Sequence, residues 1–230
     1  MKSNQKLGRI VGILLVLVIA VGVPSLSLRG LSGLDTSDPN YLQLLYENAL
    51  NTRYAVVLDI LSSTIWLAIV LLLFKRIKEY DIKLALAILS IWLINFGIVI
   101  YGDISTLSLL ELAQHYALET GFPTDVLMTL GDLKIEDYYG SHFLALISYA
   151  TATFLFYYFL LKSKYIPAWL AIWGMLAMTL VFSASWANIF KLDVSFYFYS
   201  QNGIHLILFM GWLLFKGFAT PKTIKDHTNN

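Results

Sequence analysis

Long apolar runs broken by short polar clusters dominate this chain, and the runs are too long and too uniformly apolar for the buried faces of a soluble domain. A bilayer core about 30 Å thick takes roughly 20 apolar residues in one helix. Read at that length, the pattern predicts six spans, at about 8–28, 54–74, 84–101, 142–161, 166–189 and 201–218. The second carries a single formal charge, Asp59. The sixth is the shortest, since Ile204 to Phe215 gives only 12 apolar-rich residues before Lys216. It reaches a workable length from Gln201 if Lys216 snorkels to the interface. Lys2, Lys6 and Arg9 before the first run also fit a secretory signal. The run continues to Leu28 with no small-x-small site other than Ala20-Val21-Gly22, which favours a retained helix.

Between the spans, two outer stretches have their own helical pattern. Asp38-Pro39 reads as N-cap and first turn of a short helix through Tyr41, Leu42, Leu44, Leu45 and Ala49. Leu109, Leu110, Leu112, Ala113, Tyr116 and Ala117 form an apolar stripe that ends at Gly121 and Pro123. Each is expected to be an amphipathic helix, lying on the outer leaflet or packed as a protein lid over the bundle. The fold class expected is therefore all-α: one polytopic membrane domain of six transmembrane helices with short outer-face amphipathic helices.

Composition agrees with lipid as the solvent. Of 230 residues, 58% are hydrophobic and 13% charged, against about 25% charged in a typical soluble domain. The 14 Tyr and 6 Trp suit repeated crossings of membrane interfaces. With no cysteine, disulfides, thiolate metal sites and a cysteine nucleophile are excluded. A net charge of +1 gives no footprint for nucleic acid. Lys and Arg beside the spans divide 12 against 4 between the two sides of the alternating topology. That imbalance puts both termini in the cytoplasm of an inner-membrane protein. The segment from Gly102 to Tyr139 has seven acids against Lys134, as an external segment should. Without the sixth span the division weakens to 9 against 7.

Several short motifs resemble the bacterial membrane-protein family catalogued as domain of unknown function 4386. Gly8-Arg9-Ile10-Val11-Gly12 is similar to the start of that family's first helix, and Arg53 followed by Asp59 to the opening of its second. His142, then Lys162-Ser163-Lys164-Tyr165-Ile166-Pro167 and Gly174, resemble its fourth helix, tight turn and fifth helix. Trp212-Leu213-Leu214-Phe215-Lys216-Gly217-Phe218 is similar to its closing motif. The resemblance implies a helical integral membrane protein whose chemistry is not established. The resemblance implies an Arg inside the third helix near Ser90 in many relatives and often an acid around His205, where this chain is neutral and carries a histidine, respectively. A shared ion-pair mechanism through those two positions is not expected here.

An ionisable side chain inside a span costs about 2.5–3.5 kcal/mol at midplane and is a functional candidate by default. Asp59 lies five residues into its span, with Ser62, Ser63 and Trp66 on the same face. His142 opens the fourth span, Asp103 closes the third, Asn188 closes the fifth, and His205 lies about one turn into the sixth. With Arg53, these are expected near the outer interface, lining a polar vestibule floored by apolar residues. Asp59 is the expected key group, with His142 and His205 its partners. Asn95, deeper in the third span, is expected to hydrogen-bond a neighbouring helix. Arg53 and Asp59, six residues apart, point about 120° apart on a helix and make an awkward pair. His142, His205 and Asp59 are of the right type for Zn²⁺, but no His-Glu-x-x-His or i, i+4 ligand pair exists, and no cofactor is expected. Three functions stay open: binding or moving a small solute or lipid through the vestibule, an intramembrane enzyme (metal-dependent in one version), or a non-catalytic subunit docking a membrane or extracytoplasmic partner through its outer helices.

Overall fold

The computed structural model describes residues 3–31, 38 and 40–219, and among them every regular element is a helix. In chain order these are α1 (Ser3–Leu28), α2 (Tyr41–Glu47), α3 (Ala49–Tyr80), α4 (Ile82–Ala117), α5 (Thr124–Lys162), α6 (Ala168–Ile189) and α7 (Tyr197–Phe215). Five of them, α1, α3, α4, α5 and α6, are long and apolar enough to cross a membrane. The expected sixth span falls on α7, whose 19 residues do not reach that mark because Gln201, Asn202 and His205 dilute its apolar run.

Leaving α2 aside, each long helix packs on the next in sequence, and α7 packs back on α1, so six helices close a ring. Its closure is visible at one end, where Arg9 donates to the Phe215 carbonyl at 3.2 Å and the Ala219 amide donates to the Tyr165 carbonyl at 2.8 Å. At its other end α7 is tied to α6 by Asn188, whose amide donates to Tyr199 Oη at 2.8 Å. The helix thus runs antiparallel to α6 along the bundle. Apolar side chains fill the ring, among them Val11, Leu15, Leu73, Ile88, Trp92, Phe159, Val181 and Phe209. Large apolar residues such as Leu71, Ile94, Leu176 and Ile207 point outward, each more than half exposed. In water such a belt would drive aggregation, whereas hydrocarbon accepts it at no cost.

One outer-helix expectation and one span boundary are corrected. The Leu109–Ala117 stripe is not a separate helix but the last turns of α4, which runs unbroken for 36 residues, about 54 Å at 1.5 Å per residue. No proline interrupts it, and it stops only where Glu119 (φ 47°) and Gly121 (φ 89°) turn the chain toward Pro123. Likewise the fourth span is the second half of a 39-residue α5. Both helices therefore project past a 30 Å hydrocarbon core.

The projecting ends hold a second small core with α2. Tyr41, Leu42 and Leu45 of α2 are buried against Leu31, Leu109, Ala113, Leu127 and Ile135. Of the two readings open for this helix, the protein-packed lid is the one found. Tyr41 Oη donates to the Met128 carbonyl at 3.0 Å, and burial, with the neighbouring Asp132, pushes its phenol above its ordinary pKa. The expected Asp38-Pro39 helix start lies partly outside the described residues, as does Pro39 itself. Asp38 accepts from the Asn40 amide at 2.8 Å, and α2 begins at Tyr41. Lys2, Lys222 and Lys225 also lie outside the described residues.

Candidate functional site

Beneath the α2 lid, the last turn of α1 places a guanidinium where three other helices converge. Arg29 is 1% exposed. Its Nη2 donates to Asp59 of α3 and to Asp103 Oδ1 of α4, the latter at 3.0 Å, while Nη1 donates to Thr106 Oγ1 at 2.8 Å. Its carbon centre stands 4.9 Å over the Tyr138 ring of α5. One turn earlier on α1, Ser25 donates to Asp59, and Thr52 of α3 donates to the Arg29 carbonyl at 3.2 Å. One cation therefore ties α1, α3, α4 and α5 together, and its planar fork suits two carboxylates where a Lys ammonium would not.

Directly below this cluster is a cavity of about 150 Å³. From α1 it takes Leu26, from α3 Asp59, Ser62 and Ser63, and from α4 Val99, Gly102 and Asp103. The α5 wall is Tyr138, Ser141, His142 and Ala145. One turn further along the helices lies an aromatic floor. Trp66 stacks on Trp92 at 5.1 Å, and Tyr149 meets both edge-on at 5.7 Å. Beyond this floor the ring interior is lined mostly by apolar side chains, with Thr153 and Tyr157 its hydroxyl-bearing members. Asp103 is 4% exposed, and its Oδ2 is buried without a hydrogen-bond partner.

Of the residues expected at the site, Asp59, Asp103, His142, Ser62 and Ser63 share this cavity. Three others are elsewhere. Arg53 is an exposed residue 3.7 Å from Glu111, so it does not serve Asp59. Asn188 is spent on Tyr199 and on the Ala184 carbonyl at 3.0 Å. His205 is fully buried between α5, α6 and α7. Its Nε2 is 2.8 Å from the Leu170 carbonyl and its Nδ1 3.3 Å from Tyr157 Oη, so both ring nitrogens are engaged far from Asp59. Its depth was misjudged because α7 begins at Tyr197, and because Leu170, which it faces, sits in the first turn of α6. The set His142, His205 and Asp59 is not brought together, and no cluster of three metal-ligating side chains occurs among the described residues.

Changing His205 to Phe should preserve ring volume but strand its polar neighbours, costing about 1–3 kcal/mol on thermal unfolding. The cavity should be unaffected, with a cysteine at position 63 reacting at an unchanged rate. Asn95 does hydrogen-bond a neighbouring helix, donating to the Ala145 carbonyl at 2.7 Å and to Ser148 Oγ at 2.9 Å.

Arg29, Ser25, Thr106 and Tyr138 are among the site residues that sequence reasoning missed. A basic residue ending an apolar run reads as a flanking charge, and Arg29 was counted only as that. A signal existed in the shortage of partners. Two acids at one end of the spans need a cation, and the bases available at that end are Arg29, Arg53, Lys134 and Lys191. Lys134 pairs with Asp137 at 2.9 Å and Lys191 with Glu136 at 3.6 Å.

Against known proteins, a family model described as Domain of unknown function (DUF4386) matches residues 10–217. Neither the curated proteins nor the solved structures contain a match.

Proposed function

The chain belongs to the family of domain of unknown function DUF4386, and from that premise we propose that it is a six-span inner-membrane protein that binds a small solute in the cavity below Arg29. Both termini face the cytoplasm, and the α2 end faces out. The 12 to 4 division of Lys and Arg supports this orientation. So does the packing of the start of α1 against the end of α7, which supports reading α7 as a sixth crossing. The observation that carries the binding reading is the cavity itself: about 150 Å³ walled by two carboxylates, an imidazole and three serine hydroxyls at lipid depth. Polar groups placed there are expensive unless something uses them. The apolar interior below Trp66 and Trp92 offers a polar solute no onward path, which favours binding over transport.

The chain has no cysteine, so single introduced cysteines report without background. On intact cells, a membrane-impermeant maleimide should label Glu119→Cys readily, and Lys216→Cys only after permeabilisation. In purified nanodiscs, 2-aminoethyl methanethiosulfonate should modify Ser63→Cys of the cavity wall but not Leu73→Cys of the apolar interior. Reversed labelling of the two maleimide sites overturns the orientation. An inert Ser63→Cys overturns the binding cavity.

A further inference from the structure

We infer that the cavity accepts a small organic cation, an alkylammonium, with Asp103 as its anchor; this deepens the solute-binding reading and rests on it. The first support is charge. Arg29 is the one cation paired with Asp59 and Asp103 among the described residues, and it faces two carboxylates. Arg53, Lys134 and Lys191 are engaged with Glu111, Asp137 and Glu136. With His142 neutral, the cluster therefore carries one surplus negative charge at a depth where water does little to screen it.

The second support is an unmet acceptor. Arg29 uses one nitrogen for both acids and reaches only Oδ1 of Asp103. Oδ2 is buried with no donor, on a residue that is 4% exposed and lines the cavity, and Arg29 Nε beside it is buried with no acceptor. Buried acceptors are almost always satisfied, so a donor brought by a ligand fits this atom. An ammonium carries three N–H donors and the missing positive charge together.

Size and wall chemistry select an organic cation over a metal ion. A cavity of about 150 Å³ is far larger than a bare ion requires. At about 30 Å³ per water it equals roughly five waters. Ser62, Ser63 and Ser141 offer hydroxyls to a donor, while Leu26, Val99 and Ala145 offer apolar wall to methylene groups. Ethanolammonium has this shape, whether free or as the headgroup of a phospholipid.

The test uses the full chain carrying Ser63→Cys in phosphatidylcholine nanodiscs at about pH 7.5, above the ordinary imidazole value. Ethanolammonium chloride should slow modification by 2-aminoethyl methanethiosulfonate saturably, and ethylene glycol, its neutral counterpart, should not. Adding Asp103→Asn should weaken that protection about 30-fold or more, the loss expected when a buried charge partner is removed. Methyl methanethiosulfonate, which is neutral, should modify Ser63→Cys and Ser63→Cys/Asp103→Asn equally, showing that the variant keeps the cavity. Protection already present in phosphatidylethanolamine nanodiscs, before free amine is added, supports the inference with the lipid headgroup as source. Its absence there, with free amine still protecting, supports it with a free amine. Equal protection by ethylene glycol, by sodium chloride, or in the Asp103→Asn variant overturns the inference and leaves the solute-binding cavity standing. Failure of every reagent to reach Ser63→Cys overturns both.

Discussion

Arg29→Gln is expected to cost the bundle about 3–5 kcal/mol, the largest loss from any single polar side chain, because it leaves the buried Asp103 and the partly buried Asp59 without a cation. Thermal unfolding of the purified protein checks this, with a fall in Tm of roughly 6–20 °C for a chain of this size. The loss has a signature that a simple packing defect lacks. Asp59 and Asp103 share one guanidinium, so neutralising either acid leaves Arg29 still paired with the other. Asp59→Asn and Asp103→Asn should therefore each cost clearly less than Arg29→Gln. The triple variant Arg29→Gln/Asp59→Asn/Asp103→Asn should recover most of the stability, because no uncompensated charge remains. Arg29→Lys should recover little. One ammonium on a flexible stem does not reach both carboxylates and Thr106 while lying over the Tyr138 ring. Equal costs for Arg29→Gln and Asp103→Asn, or no rescue in the triple variant, would falsify the shared-cation account.

The residues that made the fold legible are those that meet lipid. Leu71, Ile94, Leu176 and Ile207 are apolar because hydrocarbon surrounds them, and a window the width of a bilayer finds them without knowing the packing. Helix ends were not legible by the same means. Glu111, Gln114 and His115 end the apolar run of α4 but are compatible with helix, so the helix continues where the span stops. The cavity was half legible: Asp59, Ser62 and Ser63 announce themselves by i+3 and i+4 spacing on an apolar helix. Their partners come from other helices, and spacing along one helix says nothing of rotation between helices. For that reason Arg29, at a span end, reads as a flanking charge, and His205, about one turn into a span, reads as a ligand. What separates the two is the company that packing supplies. Arg29 finds two acids, and His205 finds a carbonyl and a phenol.

The ring itself depends on how closely α1 approaches the segment after α7, and Gly8→Val should break that approach. A Cβ on Gly8 would stand 2.7 Å from the Gly217 carbonyl carbon and clash with the Phe218 amide as well. Both obstacles are backbone, so no side-chain rotation relieves them. On the facing strand of chain, Gly217 sits at φ 67°, and a Cβ there would come within 2.8 Å of Gln5 Cα. Glycine is required on both sides, by contact at Gly8 and by contact and conformation at Gly217. Overpacking usually costs about 1–3 kcal/mol, and an obstacle that cannot repack puts Gly8→Val at or above the top of that range. The strain falls on the Arg9–Phe215 and Ala219–Tyr165 hydrogen bonds, which close the ring at this end. The Arg29 cluster lies at the opposite end of α1, some 21 residues or about 31 Å along the helix. Gly8→Val should therefore lower Tm while leaving modification of a cysteine at position 63 unchanged below the transition, whereas Arg29→Gln should alter both. A Gly8→Val protein with wild-type Tm would mean that α1 and α7 do not close the ring in the membrane.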